Sequence, residues 1–282
     1  MKFGVSLWLW TSPVTNKTIE HFVPIIAEMG FDTIEVPIED PDTLDASAAG
    51  KVIKENGLSV TNCAAMGPGR DLVHPDKEIR AAGMEYIKKS IEAAHEMDSD
   101  TFAGPLYAEV GRLWSMTAEE RSNHEELLVS QLQQLSEHAE SANVTLCVEA
   151  LNRFETSFLN LTSQVNNIVD RVSHPNCKIL FDLFHAGIEE KNLGDAIREA
   201  GDRLFHFQLA ENDRGTPGTG QLDWNGVAEA LKDIHYDRHV VIETFTPDNK
   251  ILAKAASIWR PLADSPDTLA KDGLKFLKDL LS

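Results

Sequence analysis

Val144-Thr145-Leu146-Cys147-Val148-Glu149 is an apolar run that stops on an acid, and Lys178-Ile179-Leu180-Phe181-Asp182 repeats the pattern one unit later. Successive side chains of a strand alternate between its two faces. Val144, Leu146 and Val148 therefore share one face, and Cys147 and Glu149 the other. In the second run Ile179 and Phe181 share a face and Asp182 ends the opposite one. Leu204–Leu209 continues the series, with Phe205, Phe207 and Leu209 turned outward and Leu204, His206 and Gln208 inward. Val240 and Ile242 face out, and Glu243 closes the inner row.

Working outward, four more strand-like runs precede these: Phe3–Trp10, Thr33–Pro37, Leu58–Ala64 and Thr101–Gly104. Helix-like stretches separate the strands at Lys17–Met29, Leu44–Asn56, Asp76–Met97, Ala118–Ala142, Ser163–Val172, Asp195–Ala200 and Trp224–His235, and helical pattern returns at Ser265–Leu281. Gly30 and Gly57 stand where a left-handed residue ends a helix, and Thr117 to Glu120 reads as a capping box. Eight alternations over 282 residues, about 35 residues each, predict a closed (β/α)8 barrel of the TIM type occupying residues 1–282 as a single domain. The alternative, a doubly wound open sheet, wants a glycine-rich phosphate loop after a strand, and no run supplies one.

Composition narrows the function. Hydrophobic residues make up 42% and charged residues 25%, the balance of a folded enzyme rather than a disordered chain. A formal net charge of −19 repels phosphate backbones and anionic lipid, so neither nucleic acid nor a membrane surface is expected as a partner. Cys63, Cys147 and Cys177 are odd in number, each within an apolar run, and are expected as buried free thiols. No run approaches a membrane span, and Phe3–Trp10 reads as a first strand rather than a leader, so the expected compartment is the cytoplasm.

In a parallel barrel, functional side chains gather at the C-terminal ends of the strands. Glu149, Asp182, Gln208 and Glu243 end four consecutive strands at spacings of 33, 26 and 35 residues, which brings them to one mouth. One such acid alone more often caps a helix or pairs with a lysine; four in succession point to a site. Three converging carboxylates repel unless a cation joins them. Three carboxylates and an amide carbonyl form an all-oxygen donor set that suits Mn²⁺ or Mg²⁺ better than Zn²⁺.

The segments Val148-Glu149-Ala150-Leu151-Asn152-Arg153-Phe154-Glu155, Phe181-Asp182-Leu183-Phe184-His185, Glu211-Asn212-Asp213-Arg214-Gly215-Thr216-Pro217-Gly218 and Ile242-Glu243-Thr244-Phe245 together resemble the D-tagatose 3-epimerase family, also called D-psicose (D-allulose) 3-epimerases. His74-Pro75-Asp76-Lys77, Ala103-Gly104-Pro105 and Ile258-Trp259-Arg260 extend the resemblance over nearly the whole chain. It implies a xylose-isomerase-like barrel, a Mn²⁺ or Co²⁺ ion held by Glu149, Asp182 and Glu243, and Glu149 and Glu243 doubling as the acid/base pair. Glu155, His185 and Arg214 are implied to bind the C1–C2 end of a ketose, and the protein to form a homodimer or homotetramer. The family's ligand histidine, the second of an H-x-H pair, falls on Gln208; His206 matches the first and lies one layer deeper. Hydroxypyruvate isomerases of the same superfamily carry glutamine at that position.

The expected reaction is C3 epimerisation of a free ketose by proton removal and return through an enediolate. Trp8, Trp10, Met66, Trp114 and Phe245 are candidates for an apolar wall around the far end of the sugar, with barrel core or subunit contact as the competing role. Glu35 ends the inner row of the second strand, either behind the ligands or as structure, and Arg153 is expected to pair with an acid. Competing functions are an aldose–ketose or hydroxypyruvate-type isomerase, which Gln208 favours, a metal-dependent lyase subunit acting on oxidised glycosides, and a non-catalytic sugar-binding protein.

Overall fold

The computed structural model describes residues 1–281. Eight strands run parallel in chain order and close on themselves: β1 (Lys2–Ser6), β2 (Thr33–Pro37), β3 (Ser59–Cys63), β4 (Thr101–Gly104), β5 (Thr145–Glu149), β6 (Cys177–Asp182), β7 (Leu204–Leu209) and β8 (His239–Ile242). The helices are α1 (Asn16–Met29), α2 (Ala46–Glu55), α3 (Lys77–Glu96), α4 (Ala118–Ser141), α5 (Thr162–Val172), α6 (Leu183–Glu189), α7 (Leu193–Ala200), α8 (Trp224–Asp233), α9 (Lys250–Ala255) and α10 (Pro266–Leu281). The expected barrel is the one observed. Among the described residues no helix is long and apolar enough to cross a membrane, and all three cysteines are buried free thiols.

Local chemistry sets the helix ends. Thr15 caps α1 and Thr117 caps α4, each by a reciprocal box with the residue three positions on, and Gly30 ends α1 at φ 88°. The first strand is shorter than expected. Ser6 Oγ accepts from Trp8 N at 3.4 Å and Trp10 N donates to Leu7 O at 3.0 Å, so Leu7–Leu9 turns as a 3₁₀ segment across the barrel mouth. Two short helices went unpredicted. Asp182 Oδ1 accepts from Phe184 N at 2.7 Å and starts α6 directly on the end of β6, while Asn249 caps α9.

Inside the barrel, one register shift corrects the expected facing of β7. Ile179 pairs with Leu204 but Leu180 pairs with His206, so β7 carries one extra residue there. Leu204 joins the outer core beneath the helices, and Phe205 packs instead against the inner cluster of Ala103, Cys147 and Leu180. Beyond the bulge the expected alternation resumes, with Asp182 opposite Gln208. The bulge therefore leaves the facing of the mouth residues intact.

Candidate active site

Deep in the barrel, Glu35 of β2 gathers polar groups from two other strands. His206 Nε2 lies 2.6 Å from Glu35 Oε2, Gln208 Nε2 donates to Oε1 at 2.8 Å, and Thr61 Oγ1 reaches Oε2 at 3.5 Å. Glu35 stands directly behind Gln208. His206 does sit deeper, as expected, and is engaged by Glu35.

Above this floor Arg214 bridges two of the strand-end carboxylates. Its Nη1 donates to Asp182 Oδ2 and to Glu243 Oε2, both at 2.9 Å. The guanidinium lies 4.0 Å over the Phe184 ring and 5.2 Å from that of Phe245, which holds it flat. Its backbone is left-handed at φ 65°, and Thr244 Oγ1 donates to its carbonyl. Behind the loop, buried Glu211 accepts from Asn212 N (3.2 Å), Gly218 N (3.0 Å), Leu222 N (3.1 Å) and Trp224 Nε1 (2.8 Å). Glu211→Ala strips acceptors from four donors at once. The expected cost is about 2–4 kcal/mol of stability, readable as a lowered denaturation midpoint, because buried donors left unpaired carry their full desolvation penalty.

His185 opens α6 beside Arg214. Its Nδ1 accepts from Asn152 N at 3.1 Å and lies 2.8 Å from Asn152 Nδ2. Burial lowers the pKa of this imidazole below the ordinary histidine value. Nε2 lies 3.6 Å from Glu149 Oε1, 3.7 Å from Asp182 Oδ2 and 3.1 Å from Arg214 Nη2. Donors therefore approach both ring nitrogens, Asn152 at Nδ1 and the Arg214 guanidinium at Nε2. Asn152 also donates to Glu155 Oε1 at 2.9 Å, tying that carboxylate to the same loop.

The acids differ in charge state. Burial, then the neighbouring Asp182 and Glu243, push Glu149 well above the usual carboxylate range. Burial also raises Glu243 to about 8, with Asp182 and Glu35 adding to the rise against the pull of Arg214. Asp182 stays low despite burial, because Arg214, His185 and the Phe184 N–H all favour its ionised form. One guanidinium shared between two acids neutralises one of them.

These groups line an open cavity at the barrel mouth. Glu149, Glu155, His185, Gln208, Arg214 and Glu243 form its polar side; Asp182 lies under Arg214 and does not face the cavity. Trp8 and Phe245 form part of the apolar side, 6.1 Å apart. Three expected wall residues are elsewhere. Met66 is fully buried in the core with its Cε against Gly83 of α3. Trp114 lies under Arg112 and beside Phe158. Trp10 stacks on Phe22 and donates to Asp267 Oδ1 at 2.8 Å. Sequence reading missed Asn152, although it lies within the quoted motif, and also Leu252, Ala255 and Ala256, which belong to or cap the six-residue α9, too short a pattern to see. Arg153 pairs with Glu189 through Nε and Nη2 at 2.9 and 3.0 Å, as expected, outside the cavity.

The donor set fits a hard divalent cation. Ligand atoms of Glu149, Asp182 and His185 lie within 4.8 Å of one another. Three ionised carboxylates against Arg214 would leave two negative charges in a buried space, which a divalent ion balances. Glu35 occupies the amide nitrogen of Gln208, leaving its carbonyl oxygen as the free atom.

A family model for the xylose isomerase-like TIM barrel matches residues 23–280. A probable ketose 3-epimerase from Synechocystis sp. is 30% identical over 278 residues, covering 99% of this chain and 96% of the relative. A D-psicose 3-epimerase from Agrobacterium fabrum is 30% identical over 277 residues, covering 96% of this chain and 94% of the relative. The crystal structure of a D-allulose 3-epimerase from Methylomonas sp. in complex with D-allulose aligns at TM-score 0.91 and 26% identity, covering 99% of this chain and 96% of that one.

Proposed function

The chain belongs to the D-tagatose/D-psicose 3-epimerase family of xylose isomerase-like TIM barrels, enzymes of the isomerase class, and from that premise we propose that it interconverts the C3 epimers of a free ketose. The observation that carries this reading is the pair Glu149 and Glu243. They stand three strands apart on one cavity, both with pKa values raised by burial and by neighbouring acids. Inversion at a carbon needs one group to take a proton from one face and another to supply a proton on the opposite face.

One glutamate, ionised, takes the C3 proton; the C–H electron pair forms the C2–C3 double bond, and the carbonyl pair moves onto O2. The other glutamate, protonated, delivers its proton to C3 from the far side as the carbonyl re-forms. His185 and Arg214, with Nε2 and Nη2 3.1 Å apart on the cavity, are placed to bind O1 and O2 and hold C3 between the acids. Glu149, Asp182, Glu243 and the carbonyl of Gln208 would hold the cation, with Mn²⁺ preferred over Mg²⁺ or Co²⁺. A divalent ion at this position supplies Lewis-acid stabilisation of the charge on oxygen.

We place the reaction in the cytoplasm, where three buried free thiols stay reduced. A homodimer or homotetramer would cover exposed Phe154 and Trp259, 71% and 73% accessible in the single chain. Gln208, in place of the family histidine, supports a second reading as an aldose–ketose or hydroxypyruvate-type isomerase. Incubating Mn²⁺-loaded protein with a panel of free ketoses and separating products by chromatography tests both. The proposal expects the C3 epimer; an aldose as sole product would favour the second reading instead.

A further inference from the structure

Glu35 lies beneath the cavity rather than on its wall, yet two side chains of β7 converge on it. Glu35 and His206 are inaccessible and Gln208 is 1% accessible, so water does not compete for these bonds. The geometry divides the labour. His206 Nε2 holds Oε2, which keeps the carboxylate from rotating, and Oε1 is left for Gln208.

An amide differs from an imidazole or a carboxylate in having two unlike ends. Its oxygen can ligate a cation, whereas its NH₂ group only donates hydrogen bonds. A half-turn about the last side-chain torsion exchanges them at no steric cost. Something must choose. An ionised carboxylate only accepts, so Glu35 Oε1 takes the NH₂ end, and the carbonyl oxygen is turned the other way. Among the described residues no donor reaches Gln208 Oε1, and Gln208 lines the cavity.

We infer that Glu35 is a positioning residue that fixes the orientation of the Gln208 amide, so that β7 presents an oxygen rather than an NH₂ group to a bound divalent cation. The inference rests on the reading of Gln208 as a ligand. It explains how a glutamine serves where a two-ended side chain would otherwise be an unreliable ligand.

Mn²⁺ affinity, measured from the electron paramagnetic resonance signal of the free ion as protein is titrated, tests it in a four-way comparison. Glu35→Gln removes the one-way acceptor, and outer partners of metal ligands are typically worth ~10–100-fold in affinity. The expected loss is at least about tenfold while position 208 is glutamine. In a Gln208→Glu background the two ligand oxygens are equivalent and no orientation needs choosing. There the same Glu35→Gln change is expected to cost less than about threefold. Thermal melts of all four proteins report folding separately. Equal losses in both backgrounds would mean that Glu35 merely supports the structure, and unchanged affinity in Glu35→Gln would equally overturn the inference. Failure of the unaltered protein to take up Mn²⁺ would overturn the ligand reading with it.

Discussion

Glu149→Gln and Glu243→Gln, each loaded with Mn²⁺, are expected to lose epimerisation by about 10²–10⁴-fold, the scale of a general acid or base in proton transfer. Amide and carboxylate have nearly the same shape, so the cavity wall survives the change while the proton acceptor does not. The two variants should fail in complementary ways. With one carboxylate left, that group can still remove the C3 proton from the epimer whose hydrogen faces it and return a proton on the same side. Each variant is then expected to wash solvent deuterium into one epimer of the pair, and not the other, without forming the opposite epimer. Proton NMR of the C3 signal in D₂O reads this directly. Exchange of both epimers by both variants would place the proton transfer on another group. Residual metal, measured in the same samples, separates loss of chemistry from loss of the ion.

Metal removal should act through the same carboxylates. Chelation is expected to lower turnover by more than ~100-fold, because several kcal/mol of charge stabilisation disappear with the ion. The sign of the accompanying proton movement follows from the raised pKa values. Burial and acidic neighbours hold Glu149 and Glu243 protonated, the latter up to about 8, whereas a cation binds the ionised forms. Mn²⁺ uptake at pH 7 should therefore release protons, and affinity should climb about tenfold per pH unit for each proton released, with the share carried by Glu243 levelling off above about pH 8.

Stability of the metal-free protein should move the opposite way. An unfolded glutamate ionises near pH ~4.3, so Glu243 favours the fold most at low pH, and its contribution is lost as pH rises towards about 8. His185 and His239 are both held below the ordinary value of ~6.5 by burial and act oppositely, but only in the range where the unfolded chain takes up their protons. Between about pH 7 and 8 the glutamates are thus read cleanly. The melting temperature of metal-free protein should fall across that window, and saturating Mn²⁺ should remove the decline. A melting temperature that rose with pH there would contradict the assigned charge states.

Much of this was legible in the chain because strand alternation is a strong signal where a row of apolar residues stops on a polar one. Glu149, Asp182, Gln208 and Glu243 end their rows, and the structure puts Glu149, Gln208 and Glu243 on one cavity with Asp182 beneath Arg214 beside them. The β7 bulge was not legible, since an extra residue appears only against the register of β6, and it inverted Leu204 and Phe205 without disturbing His206 or Gln208. Nor could sequence sort the apolar candidates. Trp8 and Met66 look alike as hydrophobic residues near strand ends, but a 3₁₀ turn brings Trp8 onto the cavity while the core encloses Met66. Asn152 escaped notice for a different reason. Its value lies in a backbone N–H and an amide meeting His185 from a folded-back loop, a geometry that residue type does not announce.

The most direct measurement is the position of deuterium gained from D₂O when Mn²⁺-loaded protein is incubated with ketoses and the products are examined by NMR. Deuterium confined to C3, appearing together with the C3 epimer and dependent on the ion, is the predicted result. Deuterium at C1 or C2, with C3 unlabelled, would contradict the epimerase account and assign Glu149 and Glu243 to an aldose–ketose proton shuttle.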